Sequence, residues 1–180
     1  MELESNKPLD NTAFEAICEL LKLKREHVQR LASINGAIGE SMALDLLDGS
    51  RFVRRPKGTG LRHLMAALSE TGITIKPTSF DVVALPEGQS VDFMSLDSVR
   101  LALPQMRFIE VKTANQKRVK PDFSSFFFAL TEGEIRAAEA LGSRHGVLLI
   151  NRATNASLLT TVPEILTRAR STTWQVSVQL

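Results

Sequence analysis

Met106-Arg-Phe-Ile-Glu-Val-Lys112 is the clearest strand in the sequence, because its residues follow the alternating pattern of a β-strand. Successive side chains of a strand point to opposite faces of the sheet. Alternation therefore puts two large apolar side chains, Met106 and Phe108, on the same face as Glu110 and Lys112. We expect that face to leave the apolar core and to open into a polar site near Glu110.

The segments on either side of this strand predict further helices and strands in mixed order. The class is therefore α/β, with a central mixed β-sheet flanked by helices. Helices are predicted over residues 12–33, 38–47, 61–68 and 163–169. A further helix is predicted to begin at Thr131, with Thr131 and Glu134 as its capping box. Strands are predicted at the start of 51–60 (followed by a glycine-containing loop), within 73–85, and over 123–130, 146–150, 158–162 and 174–178, and residues 91–103 stay ambiguous.

Composition favours one compact protein without a membrane span. A chain of 180 residues with 43% hydrophobic content predicts a single domain over residues 1–180. The one cysteine, Cys18, excludes an internal disulfide bond, and the acidic N-terminus lacks the pattern of a secretory signal. These features predict a soluble, cytoplasmic protein. The net charge of only +2 does not by itself indicate a nucleic-acid partner.

Three chemically important side chains lie on two of the predicted strands. Asp81 lies in one apolar strand, and Glu110 and Lys112 lie on one face of another, about 7 Å apart. If the Asp81 strand is adjacent, two carboxylates and the Val111 carbonyl converge as hard oxygen ligands, which Mg²⁺ prefers. Glu40, from the second predicted helix, could add a further ligand.

A magnesium site of this kind suits the hydrolysis of phosphodiesters. The ion can polarise a phosphoryl oxygen and lower the pKa of a bound water, and the neighbouring lysine can hold or deprotonate the nucleophile and offset phosphate charge. The three residues therefore predict a metal-dependent hydrolase.

Five motifs follow one another between residues 36 and 150. In chain order they are Gly39-Glu40, Phe80-Asp81-Val-Val, Ile109-Glu-Val-Lys-Thr113, Phe128-Ala-Leu-Thr131 with Glu134, and Gly146-Val-Leu-Leu-Ile150. In these motifs and their order the chain resembles the PD-(D/E)XK, or restriction-endonuclease-like, superfamily, and it is most similar to Mrr-type nucleases.

The resemblance implies an endonuclease that hydrolyses DNA with Mg²⁺, for which Mn²⁺ can substitute, in restriction, phage defence or repair. Asp81, Glu110 and Glu40 would be the acidic ligands, and Lys112 would be the catalytic lysine. Residues 36–150 would form the core, with a helix in residues 1–34 as a candidate dimerisation element and a C-terminal extension over 151–180.

Two features depart from the family pattern. Phe80 stands where the family usually has proline, and 29 residues separate Asp81 from Glu110. The chain through residues 91–103 must therefore leave the sheet and return to it. If it does not return, Asp92 and Asp97 are the acids to consider instead of Asp81.

Two basic clusters could contact phosphates, although a run of charges is usually a solvated face. The first cluster is Arg51, Arg54, Arg55, Lys57 and Arg62, and the second is Lys117, Arg118 and Lys120.

Other residues have a structural interpretation beside the functional one. Residues 126–128, all phenylalanine, are interpreted as a buried strand rather than a base-stacking surface. Glu134 is interpreted as a helix cap, and Glu40 as either a ligand or a first-turn carboxylate favoured by the helix dipole.

The substrate and the assembly are open at this point. Double-stranded DNA and a two-fold dimer through residues 12–33 would suit cleavage of both strands. The alternatives are a nuclease that acts on RNA or branched DNA, and a module that binds nucleic acid or protein without cleavage.

Overall fold

The computed structural model describes residues 51–171 together with Glu19 and Ser41. The chain divides into two compact units, Met1–Ala37 and Ile38–Leu180, and apart from Glu19 every described residue belongs to the second. Outside the described residues lie Glu40, Cys18, the predicted strand over 174–178 and the predicted dimer surface. The predicted helices over 12–33 and 38–47 also lie outside them, except for Glu19 and Ser41, which are both helical.

In the part of the chain from residue 51 to 171, five strands form one mixed sheet with the order β1-β2-β3-β4-β5. Strands β1, β2 and β3 are antiparallel neighbours, β3 and β4 are parallel, and β4 and β5 are antiparallel. The bounds are Phe52–Arg54 for β1, Val82–Ala84 for β2, Arg107–Ala114 for β3, His145–Asn151 for β4 and Ala156–Thr160 for β5.

Within residues 51–171, four α-helices accompany the sheet, which confirms the predicted α/β class. Helix α3 connects β3 to β4, as a parallel strand pair requires. Its start has the capping box predicted from Thr131 and Glu134. The helices are α1 Gly58–Glu70, α2 Leu96–Ala102, α3 Glu132–Leu141 and α4 Val162–Arg168. Short 3₁₀ turns, Leu103–Gln105 and Gly142–Arg144, follow α2 and α3.

The main core lies between one face of the sheet and the helices α1 and α2. Leu64 and Leu68 of α1 and Val99 of α2 pack against Phe80 and Phe108, and all five are fully buried. A second cluster on the opposite face includes Val82 and Ile109. Strand β3 thus buries Phe108 in one cluster and Ile109 in the other, directly before Glu110.

The predicted strand over residues 123–130 is wrong. This segment is irregular, and Phe123 has a left-handed backbone with φ of 58°. The rings of Phe123, Phe126 and Phe128 instead pack in an apolar cluster against β4 and α4. Phe127, which the sequence also predicted to be buried, is exposed.

Two other segments differ from the sequence prediction. The glycine-containing loop through residues 56–60 is shorter than predicted, since α1 already begins at Gly58. The ambiguous residues 91–103 contain α2, whose start is capped by the Ser95 side chain, which accepts a hydrogen bond from Ser98 N. Within residues 51–171, together with Glu19 and Ser41, no helix has the length and apolar character needed to cross a membrane.

Candidate functional site

Asp81 lies immediately before β2 and is hydrogen-bonded to β3. Its backbone N–H donates to the Ile109 carbonyl at 2.9 Å, and its side-chain Oδ2 accepts from the Val111 N–H at 3.0 Å. The register pairs Val82 with Ile109, so Asp81 comes beside the Glu110 position. The structure therefore brings together the two acids that are 29 residues apart in the sequence.

An aromatic pair fixes the two segments that carry these acids. The rings of Phe80 and Phe108 contact edge to face, with centroids 5.1 Å apart and an interplanar angle of 83°. Phe80 directly precedes Asp81, and Phe108 lies two residues before Glu110. Phe80 thus has a packing role directly before Asp81.

The Glu110 carboxyl group is buried, and only one of its oxygens has a partner. Oε1 lies 3.0 Å from the Lys112 ammonium nitrogen, while Oε2 has no hydrogen-bond partner among the described residues. Burial raises the pKa of Glu110 to about 8, and the Asp81 and Glu134 charges add to the effect, whereas Lys112 opposes it. The site therefore holds more acidic charge than its single lysine offsets.

Lys112 lies between two carboxylates, and sequence reasoning missed the second. Its Nζ is 2.9 Å from Glu134 Oε1, and the Glu134 side chain is only 6% exposed. Burial by itself would lower the pKa of Lys112, but Glu110 and Glu134 together outweigh it and raise the pKa above its usual value. The ammonium group is consequently held in its charged form.

Glu134 performs two tasks with its two oxygens. Oε2 accepts from the Thr131 N–H at 2.9 Å to complete the capping box, and Oε1 contacts Lys112. The capping signal was readable in the sequence, but the second contact depends on how α3 lies against β3. The one available signal was that α3 directly follows the strand that carries Lys112.

The donor set suits a divalent cation. In an extended strand, the N–H and C=O of one residue leave on the same side, so the Val111 carbonyl points to the edge where Asp81 accepts its N–H. The unpaired Glu110 oxygen provides a second hard ligand atom next to Asp81. Among the described residues, no group of three or more His, Cys, Asp or Glu side chains is arranged to hold a metal ion. The candidate site offers two carboxylates, those of Asp81 and Glu110, together with the Val111 carbonyl.

The substitute acids lie elsewhere. Asp92 is exposed and accepts from the Met94 N–H at 2.8 Å, and Asp97 is paired with Arg100 at 2.8 Å on the surface. The chain through α2 returns to the sheet as β3, which pairs with β2. The long separation is therefore accommodated by a helix, and Asp81 stays the candidate acid.

Within the first basic cluster, Arg55 has internal partners. Its guanidinium Nη1 donates to the carbonyls of Pro77, at 3.1 Å, and Phe80, at 2.8 Å, and its backbone N–H donates to the Asp81 carbonyl at 2.8 Å. Arg55 thus holds the segment that carries Asp81. Arg54 and Lys57 are exposed on the surface.

The second basic cluster is exposed in the connection between β3 and α3. Lys117, Arg118 and Lys120 all lie on the surface, and the Arg118 Nε donates to the Gln116 side chain at 2.9 Å. Their side chains are therefore accessible to a solvent-borne partner.

A polar opening of about 360 Å³ lies beside the Glu134 end of the site. Lys76, Thr78 and Ser79 line one part of it, and residues 131–134 line another. Solvent can therefore approach the start of α3, close to the carboxylate that holds Lys112.

The chain matches no family model, no curated protein sequence and no solved structure at a significant level.

Proposed function

We propose that the protein is a magnesium-dependent endonuclease that hydrolyses phosphodiester bonds in DNA. The observation that carries this proposal is the unpaired, buried Oε2 of Glu110 beside the Asp81 carboxylate. A buried carboxylate without a partner is costly, and a divalent cation would offset that cost at this position. An acid pair with a lysine on the next residue but one is the arrangement implied by the resemblance to PD-(D/E)XK nucleases.

The order of the elements supports a restriction-endonuclease-like core. Three antiparallel strands lead to the acid and lysine on β3, and α3 then connects to the parallel strand β4. This arrangement agrees with the central mixed sheet flanked by helices that the resemblance implies. A cytoplasmic location and a role in restriction, phage defence or repair belong to the same proposal.

Asp81, Glu110 and the Val111 carbonyl would hold Mg²⁺, and Mn²⁺ could substitute. When bound, the ion would polarise a phosphoryl oxygen and lower the pKa of a water molecule. Glu40, outside the described residues, would be a further ligand.

Lys112 acts in this proposal as a cation. Because Glu110 and Glu134 raise its pKa, the ammonium group stays protonated at neutral pH and does not serve as a base. It orients the attacking water by hydrogen bonding and offsets the charge that develops on the phosphate. Glu134 fixes the direction of the ammonium group.

Plasmid digestion tests this function. The wild type is incubated with supercoiled DNA and Mg²⁺ or Mn²⁺, beside Asp81→Asn, Lys112→Met and the remote surface variant Asp97→Asn, with EDTA as a further control. We expect cleavage by the wild type and by Asp97→Asn, and a loss of at least 100-fold for the other two variants. Metal-independent cleavage, or equal cleavage by Asp81→Asn, would overturn the proposal. Binding without cleavage would favour a non-catalytic module, and parallel RNA and branched-DNA substrates would show a different substrate.

A further inference from the structure

The connecting loop, residues 115–130, begins and ends beside the candidate site. It starts directly after β3, whose last residue Ala114 lies two positions beyond Lys112. It ends at Thr131, the cap of the helix whose Glu134 contacts Lys112 at 2.9 Å. Both ends of the connecting loop are therefore anchored on the elements that carry Lys112 and Glu134.

Hydrogen bonds give the connecting loop a defined shape. The buried Asn151 side chain accepts from the Gln116 N–H at 3.3 Å and donates to the Gln116 carbonyl at 2.9 Å. The Ser125 hydroxyl donates to the Arg118 carbonyl at 3.2 Å and accepts from the Lys120 N–H at 3.2 Å. The basic part of the loop is thereby tied to the aromatic part.

Three phenylalanines point inward, and one points outward. The Phe126 ring contacts Phe123 and Phe128, with centroids 5.9 Å and 5.1 Å away, and all three belong to the apolar cluster against β4 and α4. Phe127, between two of these anchors, is 81% exposed. Phe127 is thus presented to solvent from a segment that is fixed on both sides.

The charge around Phe127 is positive. Lys117, Arg118 and Lys120 are exposed, and Asp122 is the one acid in the connecting loop, which gives an excess of two positive charges. The bonds of Ser125 to the Arg118 carbonyl and the Lys120 N–H tie this basic stretch to the chain two residues before Phe127. An exposed aromatic ring and cations in one ordered loop favour a partner that combines a flat apolar face with a polyanionic backbone.

We propose that the connecting loop binds an unpaired nucleotide, with the base stacked on Phe127 and the neighbouring phosphates contacting Lys117, Arg118 and Lys120. This inference rests on the proposed function and deepens it, because it makes the substrate a nucleic acid with a single-stranded segment, such as an overhang, a bubble or a branch. In a continuous duplex both faces of each base are covered by its neighbours, so no face is available to Phe127. Stacking depends on the base and not on the sugar, so it selects unpaired segments of DNA and RNA alike.

Fluorescence anisotropy with the full chain in EDTA tests the proposal without any cleavage. The probes are labelled single-stranded DNA, single-stranded RNA and a blunt duplex, each measured at several salt concentrations. The variants are Phe127→Ala, Phe127→Trp and Lys117→Gln, with Leu101→Ala as the matched control, since Leu101 is also 81% exposed but lies on α2.

We expect the wild type to bind a single strand more tightly than the duplex, and Phe127→Ala to weaken single-strand binding by roughly 5- to 100-fold, the range expected for one base stacked on an aromatic ring. Phe127→Trp and Leu101→Ala should bind as the wild type does. Lys117→Gln should weaken binding to every probe. It should also reduce the slope of the logarithm of affinity against the logarithm of salt concentration by about one.

Equal affinity for single strand and duplex, an unaffected Phe127→Ala, or no binding to any probe would overturn the inference. Binding that follows this pattern in a protein that never cleaves DNA would leave the inference standing and refute the nuclease. If the wild type cleaves DNA but Phe127→Ala binds single strands as well as the wild type does, the nuclease stands and the inference about Phe127 is refuted.

Discussion

The Asp81 carboxylate accepts a hydrogen bond from the backbone N–H of Val111 at 3.0 Å. Val111 lies between Glu110 and Lys112, so this one contact ties the first acid to the strand that carries the other two side chains. The Asp81 segment is held from its other side by Arg55, which binds the carbonyl of Phe80 at 2.8 Å. The site is therefore built by the sheet and does not depend on a flexible loop.

Replacing Glu134 by glutamine should reduce activity while sparing the fold. Glutamine at the third position of a helix still completes a capping box, but it no longer offers Lys112 a charged partner. We expect DNA cleavage to fall roughly 10- to 100-fold, as for other residues that orient a metal site, with little change in melting temperature. The alkaline limb of the activity profile should move to lower pH, since Glu134 helps to raise the pKa of Lys112.

The control for this variant is built into the chain. Helix α4 starts with a second capping box, in which Glu164 accepts from the Thr161 N–H at 3.0 Å. Glu164→Gln makes the same chemical change in that box, so its activity and pH profile should be those of the wild type. If Glu134→Gln and Glu164→Gln behave alike, Glu134 is a helix cap and nothing more.

The stability of the metal-free protein should fall as the pH rises through the neutral range. Burial raises the pKa of Glu110 from 4.5 to about 8, so in that window the folded chain keeps a proton that the unfolded chain has released. The unfolded state binds fewer protons, and the free energy of unfolding therefore decreases with pH. Urea denaturation in EDTA from pH 5 to 9 measures this decrease.

Glu110→Gln is the comparison for the pH series, because glutamine keeps the shape and cannot ionise. As the pH rises to about 8, the wild type should lose free energy of unfolding relative to Glu110→Gln, and above that pH the difference should stay constant. Parallel curves for the two proteins would show that Glu110 does not titrate in this range.

Arg55 and Arg54 should have different effects when replaced, although they are neighbours in one basic cluster. Arg55→Gln removes charge-assisted bonds to the carbonyls of Pro77 and Phe80, which should cost about 1.5–3 kcal/mol of stability and leave the salt dependence of DNA binding unchanged. Arg54→Gln alters an exposed side chain, so stability should stay within about 0.5 kcal/mol. Thermal unfolding and salt titrations of DNA binding separate the two, and a salt dependence that falls with Arg55→Gln would make Arg55 a phosphate ligand.

The sequence predicted the central strand, the capping box and the mixed sheet because each leaves a local pattern. Alternation over residues 106–112 was sufficient for β3, and Thr131 with Glu134 was sufficient for the start of α3. The meeting of Asp81 with β3 was inferred from the order of motifs, and the structure places the two segments in contact.

The remaining features depend on contacts between distant residues. Residues 123–130 are as apolar as a strand, but the rings of Phe123, Phe126 and Phe128 pack against β4 and α4 and the segment does not join the sheet. The exposure of Phe127 follows from that packing. The internal bonds of Arg55 follow from the path of the chain before β2. Nothing in the local sequence distinguishes Arg55 from Arg54.

Titration of Mn²⁺ into the metal-free protein, followed by the loss of the free-ion electron paramagnetic resonance signal, shows whether Asp81 and Glu110 hold a divalent cation. We predict that the wild type and Asp97→Asn bind Mn²⁺ at a site that Mg²⁺ competes for, and that Asp81→Asn and Glu110→Gln each lose it while keeping the wild-type fold by circular dichroism. Wild-type affinity in both of those variants would contradict the account, because the ion would then be held by other residues.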